Sequence, residues 1–516
     1  MSANDVPWWR EAVVYQIYPR SFADSNGDGI GDLAGITGRL DYLADLGVDA
    51  VWLSPIFVSP MRDFGYDVAD YCAIDPVFGT DADFDELVDG LHRRGMRLLL
   101  DWVPNHSSDQ HPWFVESRSS RENPKRDWYV WRDRQPDGSP PTNWMSQFKG
   151  VPAWTHDTVT DQSYLHVFLS EQPDLNWANP EVEAAMLDSL RYWLDRGVDG
   201  FRADVVNLIG KGSDVDDLPD DLVTMPLLAT DRSFGHELLT RIRRLLDSYP
   251  HDPMMVGEVY LLRSGESASY LGTPEQPELH LSFDFRPLHT PWDAGRMHQA
   301  INKMETDFVE PGWPTFVLSN HDRPRHRTRY GTEDRARAAA VLTLTTRGTP
   351  FLYAGEELGL EDGVVPDDRI VDPDGRDGCR APIPWTSDGD DESGHGWPTR
   401  PWRPFPANAS THAVDVEVGE PTSMHTLYRQ LLSLRREHDA LRRGSMEMAA
   451  VDDDVLRFER VLGNERLVIL VNFGDRQAPW PGELADGQLL VSTDPERVGV
   501  GSHVGPAEAV VVAIGA

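Results

Sequence analysis

The sequence predicts an α/β fold: a closed (β/α)8 TIM barrel, a small domain inserted after its third strand, and a C-terminal antiparallel β-sandwich domain. Three observations carry this reading. Runs of β-branched and apolar residues alternate about eight times with amphipathic helical patterns, which spells a parallel sheet closed on itself rather than an open one. One connection, from Asn105 to Gln172, is rich in Trp, Pro, Asp and Ser and too long for a structureless loop. Beyond Leu441 the helical period gives way to short alternating runs separated by turn residues, the mark of antiparallel strands.

Strands are expected at Val13 to Ser21, Ala50 to Pro55, Arg97 to Val103, Val198 to Val205, Met254 to Val259, Leu279 to Phe285, Thr315 to Asn320 and Thr349 to Ala354. Helices are expected between them, at Leu33 to Leu46, Phe84 to Arg94, Val182 to Arg196, His236 to Ser248, Gly295 to Asp307 and Arg335 to Thr346, with a further one at Met424 to Leu441. The barrel then comprises residues 1–105 and 172–441, the insert 106–171, and the C-terminal domain 442–516. The insert leaves the barrel at the end where such barrels place their chemistry. A second irregular stretch, Glu361 to Pro406, leaves at the same end and is expected to wall the site.

Composition narrows the function classes. A formal net charge of -37 over 516 residues argues against nucleic acid or an anionic membrane as partner and favours a neutral substrate. No apolar run is long enough to span a bilayer and no leader is visible. Two cysteines, Cys72 and Cys379, cannot build a disulfide framework, and reduced thiols in a cytoplasmic protein are expected. The expected assembly is a monomer or small homo-oligomer.

The chemistry centres on Gly200-Phe-Arg-Ala-Asp-Val-Val-Asn207. Alternate residues of a strand share a face, so Arg202 lies beside Asp204. An opposite charge that close lowers a carboxyl pKa by roughly 1 to 3 units, so Asp204 is expected to stay ionised as a nucleophile. Other polar residues fall at strand ends: Asp101, Asn105 and His106 after the third, Glu258 after the fifth, and Asn320, His321 and Asp322 after the seventh. A barrel brings such positions to one pit although they are far apart in the chain.

The stretches Asp101-Trp-Val-Pro-Asn-His106, Gln172-Pro-Asp-Leu-Asn-Trp177, Gly200-Phe-Arg-Ala-Asp204, Gly257-Glu-Val259 and Ser319-Asn-His-Asp322 resemble, in order and spacing, the α-amylase superfamily, glycoside hydrolase family 13. Within it the chain is similar to the α-glucosidase and oligo-1,6-glucosidase branch, from about Trp8 to the end. The resemblance implies a retaining, exo-acting α-glucosidase acting on small neutral oligosaccharides or α-glucosides. It makes Asp204 the nucleophile, Glu258 the general acid and base, and Asp322 the third carboxylate that binds ring hydroxyls. His106 and His321 resemble the family's hydroxyl-binding histidines. Asp63-Phe-Gly-Tyr66 looks like the clamp on the non-reducing glucose, with Tyr66 as stacking platform, and Arg380 resembles the arginine that pairs with Asp63 and closes the pit. Phe168 is expected at the entrance. Val205, after the nucleophile, is a residue type common in the oligo-1,6-glucosidases. Glucosyl transfer or sucrose isomerisation shares the same intermediate. Amylase-like chains that have lost catalysis differ in their defective catalytic positions and membrane anchor.

The loop Asp24-Ser-Asn-Gly-Asp-Gly-Ile-Gly-Asp32 presents oxygen donors at every second position, the shell a hard cation takes. Gly35 replaces the bidentate glutamate that an EF-hand needs at its twelfth position. The resemblance implies a structural Ca²⁺, with Mg²⁺ as the alternative, held by Asp24, Asn26, Asp28, the Ile30 carbonyl and Asp32.

Overall fold

A computed structural model describes residues 6–148, 150–211, 215–220, 233–261, 265–390, 393–452 and 454–515. Eight parallel strands form the barrel: β1 (Val14–Ile17), β2 (Ala50–Leu53), β3 (Arg97–Trp102), β4 (Gly200–Ala203), β5 (Met254–Gly257), β6 (Leu281–Ser282), β7 (Thr315–Val317) and β8 (Thr349–Tyr353). Their order is β6-β5-β4-β3-β2-β1-β8-β7, every paired neighbour parallel. A side chain bridges the seam between β6 and β7. The Thr315 hydroxyl donates to the Ser282 carbonyl at 3.3 Å and accepts from the Asp284 amide at 3.1 Å.

Period-two alternation decides what fills the barrel. Val14, Ala50, Trp52, Leu99, Met254, Val256, Leu281, Phe283, Val317 and Phe351 form one buried interior cluster. Two residues further along several of these strands the same face turns polar: Leu99 leads to Asp101, Val14 to Gln16, Val256 to Glu258, and Gly200 to Arg202 and Asp204. The polar site is therefore the top layer of the barrel's own core. Gly200 starts that stripe on β4 because a Cβ there would meet the Met254 carbonyl oxygen at 2.3 Å.

Helices pack outside. Those used below are α1 (Leu33–Thr37), α2 (Leu40–Leu46), α3 (Asp81–Arg93), α4 (Pro180–Asp195), α5 (Ser233–Leu246), α6 (Ala294–Asp307), α7 (Glu333–Thr345) and α8 (Met424–Glu437). Thr80 and Asp83 close a capping box on α3, and Asn179 with Pro180 starts α4, both local signals. The single helix expected over Leu33 to Leu46 is two, because α1 ends at Gly38, whose amide returns to the Ala34 carbonyl. All eight strands are shorter than expected, the first and the sixth most. The first stops at Ile17, since Pro19–Ser21 forms a 3-10 turn, and the sixth pairs only over Leu281–Ser282.

Between β3 and α4 the chain forms a short helix, Pro112–Ser117, and a three-stranded antiparallel sheet of Trp131–Arg132, Gln162–Leu165 and Trp154–Asp157. Its apolar side, with Trp144, Trp154, Leu165 and Val167, packs on Val205 and Leu208, just past β4. The C-terminal strands β9 (Ser445–Met448), β10 (Val455–Leu462), β11 (Glu465–Asn472), β12 (Gln488–Ser492) and β13 (Ala509–Ile514) form an antiparallel sheet in the order β9-β10-β11-β13-β12. A two-stranded ribbon, Ala478–Pro479 with His503–Val504, covers one face through Trp480, Leu484 and Val504. The other face joins the main core. Helix α7 lies against this sheet and is buried from Ala336 to Thr345. Cys72 and Cys379 are both free. Among the described residues no helix is long and apolar enough to cross a membrane.

Candidate active site

The β4–β5 pairing continues past both strands and sets the site. The Glu258 amide donates to the Ala203 carbonyl at 2.8 Å, and the Val206 amide to the Glu258 carbonyl at 3.0 Å. Asp204 and Glu258 thus emerge side by side. Val205 between them has φ +33°, a conformation that costs a β-branched residue about 1–3 kcal/mol. Its amide faces Glu258 Oε2 at 3.4 Å.

One guanidinium ties the acids together. Arg202 Nη1 donates to Asp101 Oδ1 at 2.8 Å and to Asp204 Oδ1 at 2.7 Å, and Nη2 donates to Glu258 Oε2. All four side chains are nearly buried. Three carboxylates around one cation cannot all ionise without a large penalty. Burial pushes Asp101 up to about 6, against the pull of Arg202 and Tyr66. Burial also raises Asp204 well above the usual carboxylate range; Arg202 opposes this, while Glu258 and Asp101 add to it and Glu258 shares a hydrogen bond with it. This corrects the expectation that Arg202 alone keeps Asp204 low. The neighbour along the strand is cationic, but the surroundings are dry and two further acids share that cation.

Asp322 behaves oppositely. Its burial would raise the carboxyl, but His321 and the Arg376 and Arg380 guanidiniums, with Arg202 beyond, hold it well below the usual range. Arg376 Nη1 lies 3.0 Å and Arg380 Nη2 3.2 Å from Asp322 Oδ1. His321 is neutral, driven down to about 3 by burial. Gln16 Nε2 donates to His321 Nδ1 at 2.7 Å, which leaves the proton on Nε2, 2.6 Å from the Tyr66 oxygen; the Tyr66 hydroxyl then donates to Asp101 Oδ2 at 3.0 Å. The Tyr66 and His321 rings stack at 5.5 Å, 4° from parallel. Burial likewise brings His106 down to about 3. Its Nε2 lies 3.2 Å from the Tyr66 carbonyl, and Phe168 stands over it at 5.2 Å.

The clamp differs from expectation. Asp63 Oδ1 pairs with Arg376 Nη2 at 2.5 Å, not with Arg380. The 3-10 turn at Gly378–Arg380 carries Arg380 beneath the pit, where it donates to the His321 carbonyl at 2.9 Å and to Asp372 Oδ2 at 2.9 Å. Arg376 lies one turn earlier in the same loop and spans from Asp63 to Asp322. Sequence reasoning missed it, although it stands within the same segment as the motif it followed. It also gave no role of its own to Gln172, whose amide donates to Asp63 Oδ2 at 3.0 Å, or to Tyr260 and Arg323, each of which directly follows a quoted stretch. Cys379 sits under this clamp, its thiol donating to the His321 carbonyl at 3.2 Å.

All ten expected catalytic and sugar-binding residues meet around one pit. A cavity of about 330 Å³ is lined by Asp63, Tyr66, His106, Phe168, Asp204 and Glu258, together with Phe148, Val205, Tyr260, Asp322, Arg323 and Arg376. Arg202, His321 and Arg380 stand behind that lining. Its volume is at the lower end of the roughly 300–1,000 Å³ of small-ligand sites.

The acidic loop lies apart. Asp24 accepts from the amides of Asn26, Gly27 and Gly29, Asn26 from Asp28, and Asp28 from Ile30. Asp32 caps α1 at the Gly35 amide and accepts from Ser25. These bonds close the curl and leave oxygen lone pairs over, a donor chemistry that suits a hard cation. Among the described residues no three acidic, histidine or cysteine side chains converge as a metal-binding set.

Residues 16–444 match the model of the alpha amylase catalytic domain, and 443–512 match a domain of unknown function, DUF3459. A probable alpha-glucosidase of Rhizobium meliloti (strain 1021) is 42% identical over 513 residues, covering 92% of this chain and 91% of that protein. The oligo-1,6-glucosidase of Parageobacillus thermoglucosidasius is 38% identical over 525 residues, covering 91% of each. The trehalulose synthase MutB of Pseudomonas mesoacidophila superposes with a TM-score of 0.92 at 34% identity, covering 98% of this chain and 99% of that one. A glycosidase-type pit at the mouth of a parallel barrel, in a chain matched almost end to end by such enzymes, makes this protein an α-glucosidase-type member of the α-amylase family, glycoside hydrolase family 13.

Proposed function

We propose that the protein is a retaining, exo-acting α-glucosidase that removes single glucose units from the non-reducing ends of short α-glucosides. The observation that supports it best is the shared guanidinium, which keeps Asp204 and Glu258 close enough to act on one anomeric centre. Retaining glycosidases need such closeness, whereas inverting ones leave room for a water between the two acids.

In this reading Glu258 is the general acid and passes a proton to the departing oxygen. Asp204 attacks the anomeric carbon as the glycosidic bond breaks. Glu258, now ionised, takes a proton from water, whose oxygen attacks the same carbon and frees Asp204. Asp322, kept anionic by Arg376 and Arg380, accepts from ring hydroxyls. The bridge from Asp63 through Arg376 to Asp322 closes the pit behind one glucose, so cleavage starts from a chain end. The residue directly after the nucleophile, Val205, favours α-1,6 linkages by resemblance. Proton NMR of a fresh digest of para-nitrophenyl α-glucoside, in which the cleaved glucose is the sugar released, should show α-glucose first. Initial release of β-glucose would refute the retaining mechanism, and oligosaccharides appearing before glucose from a longer α-glucan would refute the exo-acting one.

Transfer is the second reading, since the chain is also similar to a trehalulose synthase; with sucrose at rising concentration it would give isomeric disaccharide in excess of free glucose. The loop from Asp24 to Asp32 would hold a structural Ca²⁺. A cation bound only by the folded chain stabilises it by mass action, so millimolar Ca²⁺ should raise the melting temperature of chelator-treated protein by several degrees. Identical melts with Ca²⁺, Mg²⁺ and chelator would remove the cation. Two free thiols fit a reducing, cytoplasmic setting.

A further inference from the structure

Gln16 lies on β1, 1% exposed, outside every motif that points to the site. Its side chain meets the His321 ring, which the rings of Tyr18, Tyr66 and Trp52 hem in at 5.9, 5.5 and 6.1 Å. That ring is neutral, and two carboxylates decide which nitrogen holds its proton. Asp322 Oδ2 lies 3.3 Å from Nε2. Asp101 Oδ2 lies 3.0 Å from the Tyr66 oxygen, itself 2.6 Å from Nε2. An ionised carboxylate only accepts, so Nε2 must donate and the Tyr66 hydroxyl must turn to Asp101. Nδ1 is left as a buried acceptor, which is costly without a donor. Gln16 Nε2, 2.7 Å away, is that donor.

Donation therefore runs one way, from Gln16 through His321 and Tyr66 to Asp101. Asp101 also accepts from Trp52 Nε1 at 3.2 Å and from Arg202 Nη1 at 2.8 Å. With the proton on Nδ1 instead, the Tyr66 hydroxyl would turn back to Nε2 and Asp101 would lose a donor. Asp101 would then draw harder on Arg202, the guanidinium that Asp204 and Glu258 share. We propose that Gln16 is a positioning residue for catalysis: by holding His321 in one tautomer it aims the Tyr66 hydroxyl at Asp101 and leaves Arg202 to hold Asp204 and Glu258 together. The proposal rests on the roles given to those two acids above.

The first test needs neither a Gln16 variant nor a substrate. In the nitrogen NMR spectrum of protein labelled at its histidine nitrogens, His321, identified by its loss in His321→Asn, should carry its proton on Nε2 with Nδ1 bare at neutral pH. A proton on Nδ1 would overturn the proposal. The second test is kinetic, with para-nitrophenyl α-glucoside. Gln16→Met keeps the length of the side chain and removes the donor. It should lower kcat about tenfold, the worth of one hydrogen bond to a charged group, and move KM far less. Tyr66→Phe keeps the ring and loses the hydroxyl, so it should lower kcat by a similar factor. Adding Gln16→Met to Tyr66→Phe should then cost nothing more, because Gln16 acts through that hydroxyl. Losses that multiply, or a wild-type kcat in Gln16→Met, would overturn the role. Gln16→Leu takes the place of Gln16→Met if that protein does not fold. A wild-type protein that shows the expected tautomer and cleaves no α-glucoside would instead sink the glucosidase reading, and the catalytic role of Gln16 with it.

Discussion

Asp204→Asn should lower turnover by at least about 10⁴-fold, because it removes the nucleophile on which both halves of the covalent sequence depend. The same change should raise the melting temperature at neutral pH. Burial first, then Glu258 and Asp101, lifts the Asp204 carboxyl above its ordinary value against Arg202. An acid whose pKa is raised by folding holds its proton in the native state after the unfolded chain has lost it. Stability therefore falls as pH rises through the window between the two values. Below the unfolded value, about 4, both states are protonated and the penalty vanishes. The amide, which never ionises and still accepts from Arg202, escapes the penalty at neutral pH. Thermal melts at acid and neutral pH check this: the gain should be present at the higher pH and shrink at the lower. A variant that melts below wild type at neutral pH would show that the ionised carboxylate stabilises the fold, contrary to the burial argument.

Arg202→Lys should be nearly as damaging, through a different route. The guanidinium reaches Asp101, Asp204 and Glu258 from two nitrogens and stands 5.3 Å from the Trp52 ring. A single ammonium cannot fork among three acids. Leaving a buried carboxylate unpaired costs about 3–5 kcal/mol, and turnover should fall by roughly 10²-fold or more as Asp204 and Glu258 lose their common anchor. The sign with pH is again fixed. Asp101 and Asp204 rise further in the variant, so its stability deficit should grow as pH rises and nearly close in acid, where both are protonated in both states. Urea denaturation at two pH values measures this. An equal deficit at both would mean that Arg202 matters for packing rather than for charge.

Much of this architecture was legible in the chain. The eight strands, the helices between them and the C-terminal sheet follow from local patterns of period and punctuation. The helix over Leu33 to Leu46 breaks at Gly38 because a helix C-cap at that glycine outweighs the continuous apolar face. Gln172, Tyr260 and Arg323 received no role because that role lies in contacts with residues 63 to 109 positions away, for which the sequence has no period.

What the sequence alone determined is the stripe of side chains that rises from the barrel core into the site. Arg202 and Asp204 share a face by the two-residue repeat of an extended chain, whatever surrounds them. What only the tertiary structure decided is the partner of Asp63 and the sign of the shift at Asp204. Arg376 and Arg380 are four residues apart in an irregular loop, where no repeat says which one reaches across the pit. The Asp204 carboxyl responds to every charge and every missing water around it. Those are assembled from β3, β4 and β5 together, and a neighbour two residues away supplies only one of them.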